Sequence, residues 1–386
     1  MGVGPGAVEV MALSAAESGE FAGLFGGVYA GRRVLVTGHS GFKGSWLALW
    51  LRRLGAQVCG LALPAPDEPN HAALLKLPLD ETLVDLRDAA AVRDALRRFA
   101  PEVVFHLAAQ ALVRRSYREP QATFETNVLG LVNLFEAVRA TPSVRVLVNA
   151  TSDKCYENRQ LARGYHEVDP LGGHDPYSAS KACAEIVSAS YRASFLAQDD
   201  GRGHPVALAT ARAGNVIGGG DWSEDRLVPD LVRAALAGCS TQVRNPGATR
   251  PWQHVLEPLS GYLLLGQRLL ADPSSCAAAW NFGPSAQDGH LSVGQVMERF
   301  AAHWPAMRHE VDRQPQPHEA ALLHLDCSKA QRDLGWQPVW TAQTMIARTA
   351  GWYCAWHEQG RVDSAQDLQR YVADARAAGR VWAVAA

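Results

Sequence analysis

The chain has 386 residues, enough to bury one large core or two smaller ones, which excludes a small scaffold stapled by disulfides. Its 37 Lys and Arg nearly balance 39 Asp and Glu, so a formal net charge of -2 offers nucleic acid or an acidic membrane surface no global attraction. The seven cysteines are scattered without a Cys-x-x-Cys pair, which fits reduced thiols in a cytoplasm rather than a metal centre, and no apolar run approaches the ~20 residues of a membrane-spanning helix.

Residues 1–30 carry Glu9, Glu17 and Glu20 but no Lys or Arg, lack the basic start and apolar stretch of a secretory signal, and read as a disordered extension. The β-branched run Arg33 to Thr37 then ends at Gly38-His39-Ser40-Gly41-Phe42-Lys43-Gly44, which leads into the amphipathic segment Ser45 to Leu54. Strand, glycine turn and helix form the context in which a backbone approaches a pyrophosphate and a helix N-terminus offers it free N–H groups. Residues 38–44 are therefore candidate dinucleotide contacts, spaced Gly-x-x-Gly-x-x-Gly, one residue wider in the first gap than Gly-x-Gly-x-x-Gly.

A second strand, Gln57 to Leu63, closes on Leu61-Ala62-Leu63-Pro64 without the acid that holds an adenosine ribose, and no Arg takes its place, so it leaves NAD against NADP open. Thr82 to Arg87 reads as the third strand, with Asp85 at its polar end beside Leu86. After the helix Ala89 to Phe99 comes the apolar run Val103 to Gln110, whose Leu107-Ala108-Ala109 would let a cofactor lie against the backbone. The helix Pro120 to Ala140 carries Asn127, and Val144 to Ala150 is a fifth strand that delivers Thr151. This alternation predicts an α/β fold with a doubly wound parallel sheet, in which Gly38, Ala108 and Thr151 share the cleft at the carboxyl ends of the strands.

Thr151-Ser152-Asp153-Lys154 forms a polar break before a helix from Tyr177 to Phe195, on which Tyr177 and Lys181 share one face. A phenol beside an ammonium group is acid/base equipment, the cation drawing the Tyr pKa down from about 10 towards neutrality. Beyond the polar loop Ala197 to His204 and the strand Val206 to Ala211, the glycine-rich stretch from Arg212 to Trp222 and the later arginines predict a smaller mixed α/β domain that clamps a diphosphate. The expected division is 31–214 mainly dinucleotide-binding, 215–358 mainly substrate-binding and interleaved with the first, and 359–386 a helical tail.

With these residues in hand, the chain resembles the extended short-chain dehydrogenase/reductases, within them the nucleotide-sugar 4,6-dehydratases, and most narrowly those acting on CDP-glucose. The resemblance rests on Thr37 to Trp46, Thr151 to Tyr156, Gly172 to Tyr177, Arg212 to Trp222 and Arg250 to Pro258, extended by His318-Glu319 and Leu325 to Ala330. It spans roughly residues 30 to 358, and most relatives acting on dTDP- or GDP-sugars carry Glu where this chain has Lys154. It implies a Rossmann-type fold, NAD as cofactor, a homodimer joined through the helices Pro120 to Ala140 and Tyr177 to Phe195, and a place in deoxysugar supply. It also assigns Gln110, Ser116, Asn215, Arg226, Arg244, Arg250, His318 and Glu319 to the substrate.

The implied reaction oxidises C4 of the hexose, eliminates water across C5 and C6, and returns the hydride to C6. Tyr177 is the expected base at the C4 hydroxyl, Lys181 lowers its pKa and holds the nicotinamide ribose, and Thr151 hydrogen-bonds the same hydroxyl. Asp153 is the expected acid for the departing C6 hydroxyl and Lys154 the base at C5, which requires burial to raise one and lower the other and forbids an ion pair between them. Two alternatives stay open: a nucleotide-sugar enzyme of another kind, such as a 4-epimerase or a dehydratase for a GDP-, dTDP- or UDP-sugar, and a non-catalytic NAD-binding protein. An epimerase has no use for the Asp153-Lys154 pair, and a non-catalytic protein has none for Tyr177 with Lys181.

Overall fold

Seven parallel strands form the central sheet of the computed structural model, which describes residues 19–65, 69–196, 204–285, 291–312 and 322–384. The first half runs β1 (Arg33–Thr37), α1 (Phe42–Arg53), β2 (Gln57–Ala62), a short α2 (His71–Leu75), β3 (Asp80–Leu83), α3 (Ala89–Phe99) and β4 (Val103–His106). It continues through α4 (Val113–Arg118), α5 (Pro120–Phe124), α6 (Gly130–Arg139), β5 (Val146–Ala150), α7 (Pro176–Tyr191) and β6 (Ala207–Ala213). The second half contains β7 (Val216–Ile217), α8 (Leu227–Leu236), β8 (Ser240–Val243), β9 (Gln253–His254), α9 (Leu256–Ala271), α10 (Pro273–Cys276) and β10 (Ala279–Phe282). It closes with α11 (Val293–His303), β11 (Arg308–Val311), α12 (Ala342–Gln359) and α13 (Ser364–Ala377).

In space the strands lie β10-β6-β5-β4-β1-β2-β3, so the order reverses between β1 and β4 and opens a crevice at their carboxyl ends. Every residue of β4, β5 and β6 is buried, as expected of parallel strands covered on both faces. Thr37 pins the crevice: its Oγ1 lies 2.7 Å from His106 Nδ1 and accepts the N–H groups of Leu107 and Ala108 at 3.2 Å each.

The helix expected over 120–140 is continuous but contains a π turn, Glu125–Leu129, joining α5 to α6. The wider turn sets Asn127 beneath the crevice, where Oδ1 accepts from Gln110 N at 2.8 Å and Nδ2 donates to Ser180 Oγ at 2.9 Å. The third strand ends at Leu83, earlier than its sequence suggests, so Asp85 lies in the turn beyond it.

The smaller lobe is built on two-stranded parallel pairs, β7 with β9 and β8 with β11, around a core that includes Trp252, Trp304 and Trp352. Strand β10 returns to the main sheet and α9 packs against β5 and β6.

The expected disordered extension over 1–30 is corrected for its second part. Gly19 to Ala30 packs against α1 and α9 because Phe21, Leu24, Phe25 and Tyr29 all bury their side chains there, while residues 1–18 lie outside the described residues. Phe25 stacks on Trp382, ring centroids 5.1 Å apart and planes 9° from parallel, so the two ends of the described chain close on one another. Among the described residues no helix is long and apolar enough to cross a membrane, and no three His, Cys, Asp or Glu side chains gather as a metal site.

Candidate active site

Helix α7 is positioned from its first turn. Pro176 occupies the start, and the Asp175 carboxylate accepts from Ser178 N at 2.9 Å and Ser178 Oγ at 2.6 Å. Ser116 Oγ on α4 accepts the Tyr177 N–H at 3.1 Å, which fixes where the Tyr177 side chain leaves the helix. One turn on, Lys181 Nζ reaches the Ala150 carbonyl at the end of β5, 3.4 Å away.

The expectation that Lys181 draws the Tyr177 phenol towards neutrality is corrected. Burial pushes the phenol up to about 12, opposed by the Ser152 hydroxyl and the Arg226 guanidinium. Burial likewise pushes Lys181 down to about 8, against the Glu185 carboxylate one turn further along the same face.

Beyond β5 the chain turns through a short 3-10 helix, Asp153–Cys155, opened by Ser152, whose hydroxyl accepts the Lys154 N–H at 3.2 Å. Burial holds the Asp153 carboxyl above its ordinary range, opposed chiefly by Lys154. Asp153 Oδ1 accepts from Ser152 Oγ at 3.0 Å, and Oδ2 is buried without a hydrogen-bond partner among the described residues. Among the described residues no ion pair joins Asp153 to Lys154.

These side chains converge. Thr151, Ser152, Asp153, Lys154 and Tyr177 line one cavity of about 620 Å³ between the sheet and the smaller lobe. Asn215, Arg226, Arg244 and Arg250 line it too, bringing together four of the residues expected to bind substrate. Arg226 is anchored by Asp221 at 3.3 Å, and the buried Arg250 donates to the Thr249 carbonyl at 2.9 Å.

Two expected substrate contacts are corrected. Ser116 is fully buried outside the cavity lining, and its hydroxyl is committed to the Val113 carbonyl and the Tyr177 N–H. Gln110 also stands outside the lining, with Nε2 on Thr123 Oγ1 at 2.9 Å and Oε1 accepting the Leu112 N–H at 2.6 Å. His318 and Glu319 lie outside the described residues.

At the glycine turn, Gly38 has φ +74°, and a Cβ there would stand 2.7 Å from Ala108 N; a Cβ on Gly44 would stand 2.0 Å from the Gly38 carbonyl oxygen. Helix α1 begins after Gly41 with no side chain capping it, so its first-turn N–H groups remain available to an anion. This cradle fits the pyrophosphate of a dinucleotide, flanked by Ala108 and the partly exposed Ala109.

His39 lies buried against Gly60 with Nε2 3.0 Å from Glu81, and Ser40 Oγ donates to the Leu63 carbonyl at 3.2 Å. Asp85 is gripped by the Arg87 side chain, which holds its carboxyl below the ordinary range. Leu86, expected to touch the cofactor, instead buries its side chain in the core against Gly130 and gives its carbonyl to Asn133 Nδ2 at 2.9 Å, while Leu107 packs partly into the core. Lys43, expected only at the glycine turn, extends into the cavity, where burial, Arg226 and Lys181 push it down to about 7.

Ser152 and Arg114 also line the cavity, and Glu185 accepts from Thr151 beside it; none of the three was among the expected site residues. Glu185 had a signal, since it continues the i, i+4 spacing of Tyr177 and Lys181; Ser152 and Arg114 had none beyond their proximity to candidate residues.

The chain matches the family model described as GDP-mannose 4,6 dehydratase over residues 35–349. It is 46% identical over 331 residues to CDP-glucose 4,6-dehydratase of Salmonella typhimurium, covering 85% of this chain and 92% of that protein. A dTDP-glucose 4,6-dehydratase of Xanthomonas campestris pv. campestris is 28% identical over 361 residues, covering 87% and 97%. Among solved structures, UDP-glucose 4-epimerase of Thermus thermophilus in complex with NAD aligns at a TM-score of 0.71 and 28% identity, covering 83% and 99%. The dTDP-glucose 4,6-dehydratase of Streptomyces venezuelae with NAD bound aligns at 0.69 and 25%, covering 86% and 99%.

Proposed function

The chain belongs to the GDP-mannose 4,6-dehydratase family of extended short-chain dehydrogenase/reductases, and from that membership we propose that it is an NAD-dependent hydro-lyase. The reaction is conversion of CDP-D-glucose to CDP-4-dehydro-6-deoxy-D-glucose and water. The observation that carries this reading is the gathering of Thr151, Asp153, Lys154 and Tyr177 around one cavity, with Asp153 unpaired and pushed towards its neutral form. The choice of CDP-glucose rests on the 46% identity to a protein of that activity and on Lys154.

NAD, when bound, accepts the hydride from C4 and returns it to C6. Residues 38–44 would hold its pyrophosphate, Asp85 would face its adenine end, and Lys181 its nicotinamide ribose. Tyr177 moves the proton of the C4 hydroxyl, with the Lys181 charge one helical turn away and the Ser152 hydroxyl opposing the effect of burial. Once C4 is a carbonyl, the C5 proton is acidic and passes to Lys154. Asp153, pushed by burial towards its neutral form, protonates the C6 hydroxyl as it leaves as water, and when the hydride is delivered to C6 the Lys154 ammonium returns a proton to C5, so the sugar's net loss is one water. Arg226, Arg244 and Arg250 hold the diphosphate in the outer cavity.

The protein works as a homodimer in the cytoplasm. Support for the dimer comes from Phe124, Leu129, Ile186 and Phe195, exposed apolar residues on α5, the π turn and the α7 segment, the helices through which relatives are expected to pair. The seven cysteines all stand as free thiols, as a reducing compartment would keep them.

The likeness to a 4-epimerase favours one second reading, in which Tyr177 and Lys181 serve and Asp153 is idle. Incubation with NAD and CDP-, dTDP-, GDP- or UDP-glucose, followed by alkali to reveal the absorbance of a 4-keto sugar, separates the two. A 4-keto product from CDP-glucose is expected; an epimerised sugar would favour the second reading, and the absence of a keto sugar from every nucleotide hexose would sink the first.

A further inference from the structure

Glu185 sits outside the cavity, on the same face of α7 as Tyr177 and Lys181. It is buried, and three donors occupy its carboxylate. Thr151 Oγ1 donates to Oε1 at 2.5 Å, while Thr210 Oγ1 and Arg212 Nη2 each donate to Oε2 at 2.8 Å. Arg212, itself buried, is held in turn by Nη1 donating to the Tyr156 hydroxyl at 2.8 Å and the Glu167 carbonyl at 3.1 Å. Burial pushes the Glu185 carboxyl up, but Arg212 and the two threonine hydroxyls outweigh it and keep the group ionised.

A threonine hydroxyl has one proton and two lone pairs. Hydrogen bonds to an ionised carboxylate are roughly twice as strong as neutral ones, so the Thr151 proton stays with Glu185 and only the lone pairs of Thr151 face the cavity. We propose that Glu185 is a positioning residue that fixes Thr151 as a hydrogen-bond acceptor, so that the sugar group meeting Thr151 must donate. This rests on the reading of Thr151 as the residue that meets the C4 hydroxyl.

The consequence separates the two oxidation states of the sugar. A C4 hydroxyl can donate to Thr151, whereas a C4 carbonyl cannot, so the contact orients the alcohol and is released in the ketone. The carbonyl oxygen is then left to the Tyr177 phenol as its donor. A buried ion pair such as Glu185 with Arg212 is weak evidence of a stabilising purpose, since apolar side chains fill such space as well; what they would not supply is a fixed proton on Thr151.

The test uses the enzyme loaded with NADH, so that no oxidation occurs. Dissociation constants are measured by calorimetry for CDP-glucose and for its 4-deoxy-4-fluoro analogue, which cannot donate at C4. In Glu185→Gln, the amide oxygen faces the donors Thr210 and Arg212 and the amide N–H faces Thr151, which frees the Thr151 proton to turn into the cavity. The wild type should bind the fluoro analogue about tenfold more weakly than CDP-glucose, the size of one hydrogen bond. Glu185→Gln should bring that ratio down towards one, since fluorine can then accept weakly from the freed Thr151 proton while the C4 hydroxyl accepts as well, and Thr151→Val should bring it to near one. Thr151→Ser, which keeps the hydroxyl, should restore it.

A purely structural Glu185 would weaken both ligands equally and leave the ratio where it was, which overturns the inference. If Glu185→Gln does not fold, the Thr151→Val and Thr151→Ser pair decides: an unchanged ratio in Thr151→Val overturns it. Failure of the proposed function is separately visible, as a wild type that makes no 4-keto sugar from CDP-glucose, and the nucleotide sugar it does turn over then replaces CDP-glucose in the same measurement.

Discussion

Asp153 and Lys154 are consecutive residues of one 3-10 turn, yet no ion pair joins them, and Asp153 directs one buried, unbonded oxygen into the protein interior beside Gly214. Pairing would hold the carboxyl ionised and the ammonium charged, the opposite of what an acid at C6 and a base at C5 require. On the proposed mechanism, this lack of pairing would let the two neighbouring residues act on different carbons.

Lys154→Ala should lose exchange of the C5 proton with deuterated water and lower turnover by about 10²-fold or more, the usual scale of general-base catalysis. Mass spectrometry of the recovered nucleotide sugar measures the exchange. Exchange near the wild-type rate would remove Lys154 as the base and pass that role to Lys43, the other lysine in the cavity.

Burial disfavours the ammonium form of Lys181 and pushes it down to about 8. The charge is present below that value and lost above it, so kcat/KM should fall as pH rises through about 8. The groups facing Lys181 are Glu185 on its own helix, the Cys155 thiol on the 3-10 turn, Lys43 on α1 and His106 at the end of β4. A profile flat from about pH 7 to about pH 10, the span over which a lysine shifted this far would lose its charge, would contradict this assignment.

Phe25 is fully buried and stacked on Trp382, joining the N-terminal segment to the chain's C-terminal end. Phe25→Ala should cost about 3–5 kcal/mol by leaving a cavity under the ring. Urea unfolding provides the comparison; a loss under about 1 kcal/mol would mean that the segment does not share the main core.

Leu129 and Ile186 are 59% and 57% exposed on neighbouring helical surfaces. The double variant Leu129→Glu, Ile186→Glu should elute with the mass of one chain in light scattering, and the wild type with twice that mass. A monomeric wild type would dismiss the dimer.

The sheet was legible in the sequence because buried parallel strands are nearly continuous apolar runs, and β1, β4 and β5 stand out that way. The site was partly legible: the Tyr177 to Lys181 spacing and the turn after Ala150 mark their own places. Ser116 and Gln110 misled because resemblance supplies a residue's neighbourhood but not the direction of its side chain, and both turn to hold backbone. The Tyr177 pKa was missed because burial depends on tertiary packing that spacing does not encode. Residues 19–30 look like a tail in composition, and only tertiary partners distant in sequence, Trp50 on α1, Phe105 on β4, Leu263 on α9 and Trp382 at the far end, give their apolar side chains somewhere to go.

Dehydration at this site is tested most directly by proton NMR of CDP-glucose incubated with the enzyme and NAD in deuterated water. The expected product is CDP-4-dehydro-6-deoxyglucose carrying deuterium at C5, formed by wild type and abolished in Asp153→Asn. Recovery of a C4-epimerised sugar instead, with Asp153→Asn as active as wild type, would contradict the assignment.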